Sequence, residues 1–179
     1  MSLNLSNNYS TARLVLCAFF AALGAALSQV SIPIGPIPIT CTHLSIFLAA
    51  GMLGAKYAAA SQAIFVSLGA IGLPVFSGFS GGIGVIAGPR GGFILGYIAC
   101  AWLAGFMMDC MGRTAQKAML AMLAGLLVNY GLGIAWYIFV SQAGFGAALT
   151  VCILPFLPGD ALKIVLSAIL VKRLRRAAA

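Results

Sequence analysis

Apolar residues in this chain come in runs too long and too unbroken for a soluble fold. The first extends from about Ala12 to Val30, the second from about Cys41 to Ala55, and the third from about Tyr57 to Leu73. A fourth begins near Gly91 and ends near Asp109, and a fifth covers Lys117 to Val140. The sixth starts near Asp160 and stops before Lys172-Arg173-Leu174-Arg175-Arg176. About 20 apolar residues of helix cross a bilayer. The alternating pattern of a membrane β-barrel is absent. The runs therefore predict an all-α integral membrane protein with six transmembrane helices. A polar N-terminal tail (1–11) precedes the membrane domain (12–172), and a basic tail (173–179) follows it.

Two of the connections are unusual. Ser31 to Thr40 alternates prolines with isoleucines, and proline removes donors and favours extended backbone. An apolar, extended connection of this kind suits a lid packed into the mouth of a bundle. Leu73 to Phe93 is too rich in Gly and Pro for an ordinary helix. Its glycines allow close backbone approach to a ligand, and Phe76, Phe79 and Phe93 supply aromatic walls. We read it as a second loop closing over a small-molecule site, against the alternative of a plain connector.

Composition supports the membrane reading: 63% of the 179 residues are hydrophobic and only 7% charged, where a soluble domain carries about 25% charged residues. The net charge of +8 invites a nucleic-acid reading, but its distribution argues against one. With six spans, eight of the ten basic residues fall on one side: Arg13, Lys56, Arg113, Lys117, Lys172, Arg173, Arg175 and Arg176. Cytoplasmic loops carry the excess of Lys and Arg, so both termini are expected in the cytoplasm and the outer loops become the lids. The five cysteines form no C-x-x-C pair and have one histidine, His43, for company; buried free thiols are expected, with no metal and no cofactor.

The ionisable residues left over are Arg90, Asp160 and Lys163, and the topology puts all three at the outer end. Asp160 and Lys163 are spaced i,i+3 on one face of the last span. Charges inside a membrane are costly and face a cavity or a partner. A carboxylate there accepts N–H bonds and an ammonium donates to a carbonyl, which suits a urea- or amide-like head group. A structural Asp–Lys pair capping the helix is the competing reading. Arg90 is a candidate for a ligand carboxylate or for ordering the loop. Thr40 lies at the outer start of the second span, and His43 beside it reads as a structural hydrogen bonder. Asp109 reads as a partner for Arg113 or Lys117. Small residues recur every fourth position at Ala18, Ala22 and Ala26, and again at Gly88, Gly92, Gly96, Cys100 and Ala104. Such stripes let helices approach closely in lipid, either within the bundle or, for the first, on another membrane subunit. No Walker A loop, H-E-x-x-H or G-x-S-x-G is present, so neither an ATP-driven motor nor a recognisable enzyme is encoded.

Four motifs occur in order: Ile32-Pro-Ile-Gly-Pro-Ile-Pro-Ile-Thr40, Gly69-Ala-Ile-Gly-Leu-Pro-Val-Phe76, Gly88-Pro-Arg-Gly-Gly-Phe93 and Leu157-Pro-Gly-Asp-Ala-Leu-Lys163. Together they resemble the biotin-specific substrate-binding (S) component of energy-coupling-factor (ECF) transporters, over about residues 12–172. The resemblance implies a six-helix protein of the cytoplasmic membrane that binds biotin from outside. It also implies a transmembrane coupling subunit and two ATPase subunits as partners. Ala18, Ala22 and Ala26 match the family's docking motif, and Asp160 and Lys163 match the pair that contacts the biotin head group. Arg90 stands where the family more often has a small hydroxyl residue. The alternatives are an S component for another vitamin, a solitary biotin facilitator, or a channel-like oligomer.

Overall fold

The computed structural model describes residues 5–33 and 36–177, with side chains from residue 11 onward. Eight helices lie among them: α1 (Leu5–Gln29), α2 (Thr42–Leu53), α3 (Ala55–Ala70), α4 (Ile83–Ala87), α5 (Gly91–Met111), α6 (Ala115–Ser141), α7 (Phe145–Cys152) and α8 (Leu157–Ala177). Two short strands, β1 (Ser31–Ile32) and β2 (Ile39–Thr40), pair antiparallel with Ser31 opposite Thr40.

Each apolar run corresponds to a helix, but the expected count of six misses two short ones. Helix α4 forms inside the Gly-rich loop, over the five residues between Gly82 and Gly88. Helix α7 forms within the segment before the last run, and meets α8 at a 49° bend. Boundaries also move. Residues 5–11, expected as part of a tail, continue α1 because neither Pro nor Gly interrupts the ladder; residues 1–4 lie outside the described residues. At the other end Arg173 to Arg176 stay helical, since Lys and Arg are good helix formers and favour a helix C-terminus. Helices α1, α5 and α6 are long and apolar enough to cross a membrane alone, and the bent α7–α8 pair makes a fourth candidate. Helix α2 has only 12 residues, about 18 Å, and does not reach across a hydrocarbon core of about 30 Å unaided.

The helices are apolar all round, so size rather than polarity sorts inside from outside. Ala49, Ala50, Ala101, Ala104, Ala118 and Ala121 are fully buried, whereas Leu120, Leu123, Leu127, Leu162 and Phe139 face outward. Helices α5 and α6 show the reason. The Gly92 position abuts Trp136, Gly96 abuts Asn129, Gly125 abuts Cys100 and Ala104, and Gly133 abuts the Phe93 ring. Dispersion and close backbone approach replace the hydrophobic effect as the packing force in lipid. The second small-residue stripe is thus internal. The first is not: Ala18, Ala22 and Ala26 are exposed, while Cys17, Phe20 and Ala21 face the core.

The basic end of the bundle is tied together by Asp109. Its carboxylate accepts the Ala55 N–H at 3.0 Å and pairs with Arg113. That contact joins the α2–α3 turn to the α5–α6 turn. Gly54, between α2 and α3, sits at φ +79, where any Cβ would press on Asp109. Arg13 stacks over the Tyr57 ring at 5.4 Å.

Candidate ligand site

At the opposite end, the β1–β2 hairpin and the loop from Ile71 to Arg90 lie over the bundle. Prolines 33, 36 and 38 forbid helix here, and the hairpin closes at its base through Cys41 N–H to Val30 O, 3.1 Å. The second loop turns tightly at Phe76–Ser80, with Gly78 and Phe79 at φ 72 and 53. Gln29 holds that turn. Its amide nitrogen donates to Pro74 O and Phe76 O, and its carbonyl accepts the Phe79 N–H. Ser28 donates to Val75 O, and Trp136 donates to Gly88 O at 3.0 Å.

Beneath these loops are two adjoining cavities. The upper is lined by Thr40, Phe65, Phe76, Arg90, Phe93 and Tyr97, among others. The lower shares Thr40, Phe93 and Tyr97 and adds His43, Tyr130 and Phe156. Both are narrow: the centre of a water molecule can range over only about 30 Å³ in the upper and 20 Å³ in the lower.

The floor is polar. Asp160 is 1% exposed and Lys163 9%. Lys163 Nζ donates to Asp160 at 2.7 Å and to the Thr40 carbonyl at 2.6 Å. Tyr130 donates its hydroxyl to the other carboxylate oxygen at 2.5 Å. His43 Nδ1 lies 3.9 Å from Asp160, and Asn129 Nδ2 donates to His43 Nε2 at 3.0 Å. That assignment leaves the imidazole proton on Nδ1, facing the carboxylate. Asp160 also occupies the first turn of α8, where a helix N-terminus favours negative charge. Each carboxylate oxygen keeps a free lone pair and the ammonium keeps a third N–H. The arrangement can exchange protein hydrogen bonds for those of a ligand carrying adjacent N–H and C=O groups.

Of the residues singled out in the sequence, Asp160, Lys163, Arg90, Thr40, Phe76 and Phe93 come together here. Phe79 does not: its side chain is 74% exposed, because its positive φ swings it away from the cavity. Arg90 Nε donates to Pro36 O at 3.1 Å, so it orders the hairpin while bordering the upper cavity. His43 is the buried hydrogen bonder expected. Asp109 takes Arg113 rather than Lys117, which donates to Met111 O. Tyr97, Asn129, Tyr130 and Gln29 join the site although the sequence does not single them out. Asn129-Tyr130 carried a signal, as an adjacent polar pair in the middle of an apolar run.

A model of the BioY family matches residues 2–179. This chain belongs to the BioY family. Among its BioY relatives is a probable biotin transporter BioY of Pyrococcus horikoshii, 39% identical over 89% of this chain and 94% of the relative. The biotin transporter BioY of Rhizobium etli is 37% identical over 90% of this chain and 91% of its own. Among solved structures, the S-component for biotin from an ECF-type ABC transporter superposes with a TM-score of 0.90 at 31% identity, covering 97% of this chain and 95% of that one. The BioY membership and the helices able to cross a bilayer make this a multi-pass membrane protein.

Proposed function

We propose that this chain captures biotin at the outer face of the cytoplasmic membrane and serves as the S component of an ECF-type transporter. The observation that carries the reading is the buried Asp160–Lys163–Tyr130 cluster beneath two loops, in a fold shared with a biotin S-component. The ureido ring has two N–H groups and one C=O. Asp160 is suited to accept from the former and Lys163 to donate to the latter. Thr40 lies beside them, and Phe76 and Phe93 flank the apolar body of the ligand. Arg90 meets the carboxylate of its tail at the mouth. The chain makes six crossings with both termini in the cytoplasm, the loops over 31–40 and 71–90 acting as lids. Entry requires the lids to part, because the cavities between them are too narrow for a bicyclic ligand.

The chain itself carries no reaction; ATP is hydrolysed by two ATPase partners, reached through a transmembrane coupling subunit that docks on Ala18, Ala22 and Ala26. The test is binding of labelled biotin to the purified protein in detergent, with Asp160→Asn and Lys163→Ala alongside. Tight binding by the wild type, lost in both variants, is expected. A well-folded wild type that ignores biotin and takes another vitamin would overturn the substrate assignment.

A further inference from the structure

On its lipid-facing side, the bundle opens between α6 and α8, where Leu157, Ala161, Ile164 and Val165 of α8 alternate with the inward Asp160 and Lys163. Leu120 and Leu123 form one wall of a furrow and Ala161 and Val165 the other, around about 630 Å³ of open space. On α6 the furrow runs from Leu126 to Gln116, about 15 Å of helix. That α6 wall covers half of a hydrocarbon core of about 30 Å, and the α8 wall, Leu157 to Val165, continues it toward the level of Asp160. Gln116 ends the apolar part. The next residue toward the N-terminus, Ala115, already lines a second hollow of about 490 Å³ whose walls include Arg113, Lys172, Arg175 and Arg176. Along α6 the lining of this track thus changes from apolar to cationic within a single helical turn, while along α8 about 10 Å of helix separates Val165 of the furrow from Lys172 of the hollow.

The cations of this hollow have few counter-charges. The chain has two acids, Asp109 and Asp160. Asp160 is at the far end, and Asp109 is shared between Arg113 and the Ala55 N–H. Burial first, and the charge of Arg175 second, hold the Arg113 guanidinium below its ordinary pKa despite Asp109. Guanidinium groups recognise phosphate oxygens through paired N–H bonds. Basic hollows between helices at the cytoplasmic face take lipid head groups. A free phosphate would use only the hollow and leave the furrow unexplained.

We propose that the track seats an anionic phospholipid of the adjacent leaflet, its phosphate among Arg113, Lys172, Arg175 and Arg176 and one acyl chain between α6 and α8. The test is native mass spectrometry of the full chain released from membranes containing phosphatidylglycerol and phosphatidylcholine in equal amounts. Preferential retention of phosphatidylglycerol is expected. Lys172→Gln/Arg175→Gln/Arg176→Gln, which spares the Arg113–Asp109 pair, should cut that preference about a hundredfold, at about 1 kcal/mol per cation. Leu120→Trp leaves every charge in place, fills the furrow, and should also release the lipid. Equal retention of the two lipids overturns the proposal. So does an unchanged preference in a folded triple variant, or retention undiminished by Leu120→Trp. Displacement of phosphatidylglycerol by millimolar inorganic phosphate would mark a free-anion site instead, and would equally overturn it.

Discussion

Removing the ammonium of Lys163 should damage the fold more than removing both members of its pair. In Lys163→Met the apolar stem remains, but Asp160 loses its 2.7 Å partner and stays 1% exposed. Tyr130 is then its one strong donor, since His43 at 3.9 Å is beyond hydrogen-bonding distance. Breaking a buried pair from one side costs about 3–5 kcal/mol, because an uncompensated charge is left behind. The double variant Asp160→Asn/Lys163→Met carries no such charge. Its main remaining defect is the Thr40 carbonyl deprived of its donor, a cost of about 1–3 kcal/mol. The double variant should therefore be about 2 kcal/mol more stable than Lys163→Met alone, and the two substitutions should couple favourably by at least that much. Thermal unfolding in detergent with a thiol-reactive dye reads this directly, as Cys17, Cys100 and Cys152 are buried; half-buried Cys41 and exposed Cys110 are first changed to Ser. At about 2–4 °C per kcal/mol, the single variant should melt on the order of 10 °C below wild type and the double variant above the single. A double variant whose loss equals the sum of the singles would refute the reasoning. So would a Lys163→Met protein that melts like wild type.

Other consequences follow from the loops and the turns. Arg90→Thr removes the bond to Pro36 O and the cation at the mouth; biotin should dissociate faster, and the preference for the free acid over an amide-blocked tail should shrink about tenfold (one charged hydrogen bond), as measured by competition binding. Gly54→Ala forces φ +79 on an alanine and crowds Asp109; it should lower stability by more than about 1 kcal/mol in the same unfolding assay. Ala22→Trp, on the exposed face of α1, should leave biotin binding intact and prevent co-purification with the coupling subunit. Gln29→Ala frees the turn at Phe76–Ser80 and should raise hydrogen exchange of residues 74–82 while moving the melting temperature by less than about 4 °C.

Much of the architecture was legible because lipid and helix geometry constrain sequence so strongly. Apolar runs located the helices, and the clustering of basic residues picked out one end of the bundle, where Asp109 indeed joins two turns. The pair Asp160–Lys163 could be read because i,i+3 spacing fixes a shared helix face. What stayed hidden depends on contacts between distant segments. Nothing local marks Tyr130 as the second donor to Asp160, since that contact is made by the packing of α6 against α8. The outward swing of Phe79 depends on a tight turn whose glycine, Gly78, looks like any other in a Gly-rich stretch. Arg90 showed its charge in the sequence but not its bond to Pro36. The apolar run over 41–55 does not reveal that its helix, α2, has only 12 residues.

The hairpin over the site is fastened by Arg90 and Lys163, and both grip main-chain oxygens, those of Pro36 and Thr40. A carbonyl belongs to every amino acid. Apart from Ile37, buried in the core, Ile39, packed against it, and the prolines that keep the segment out of a helix, the lid can exchange its side chains without changing the clasp that shuts it. Alanine scanning along the hairpin would therefore pass over the fastening entirely. Selection could reshape the surface that an arriving solute first meets while leaving the closing mechanism untouched.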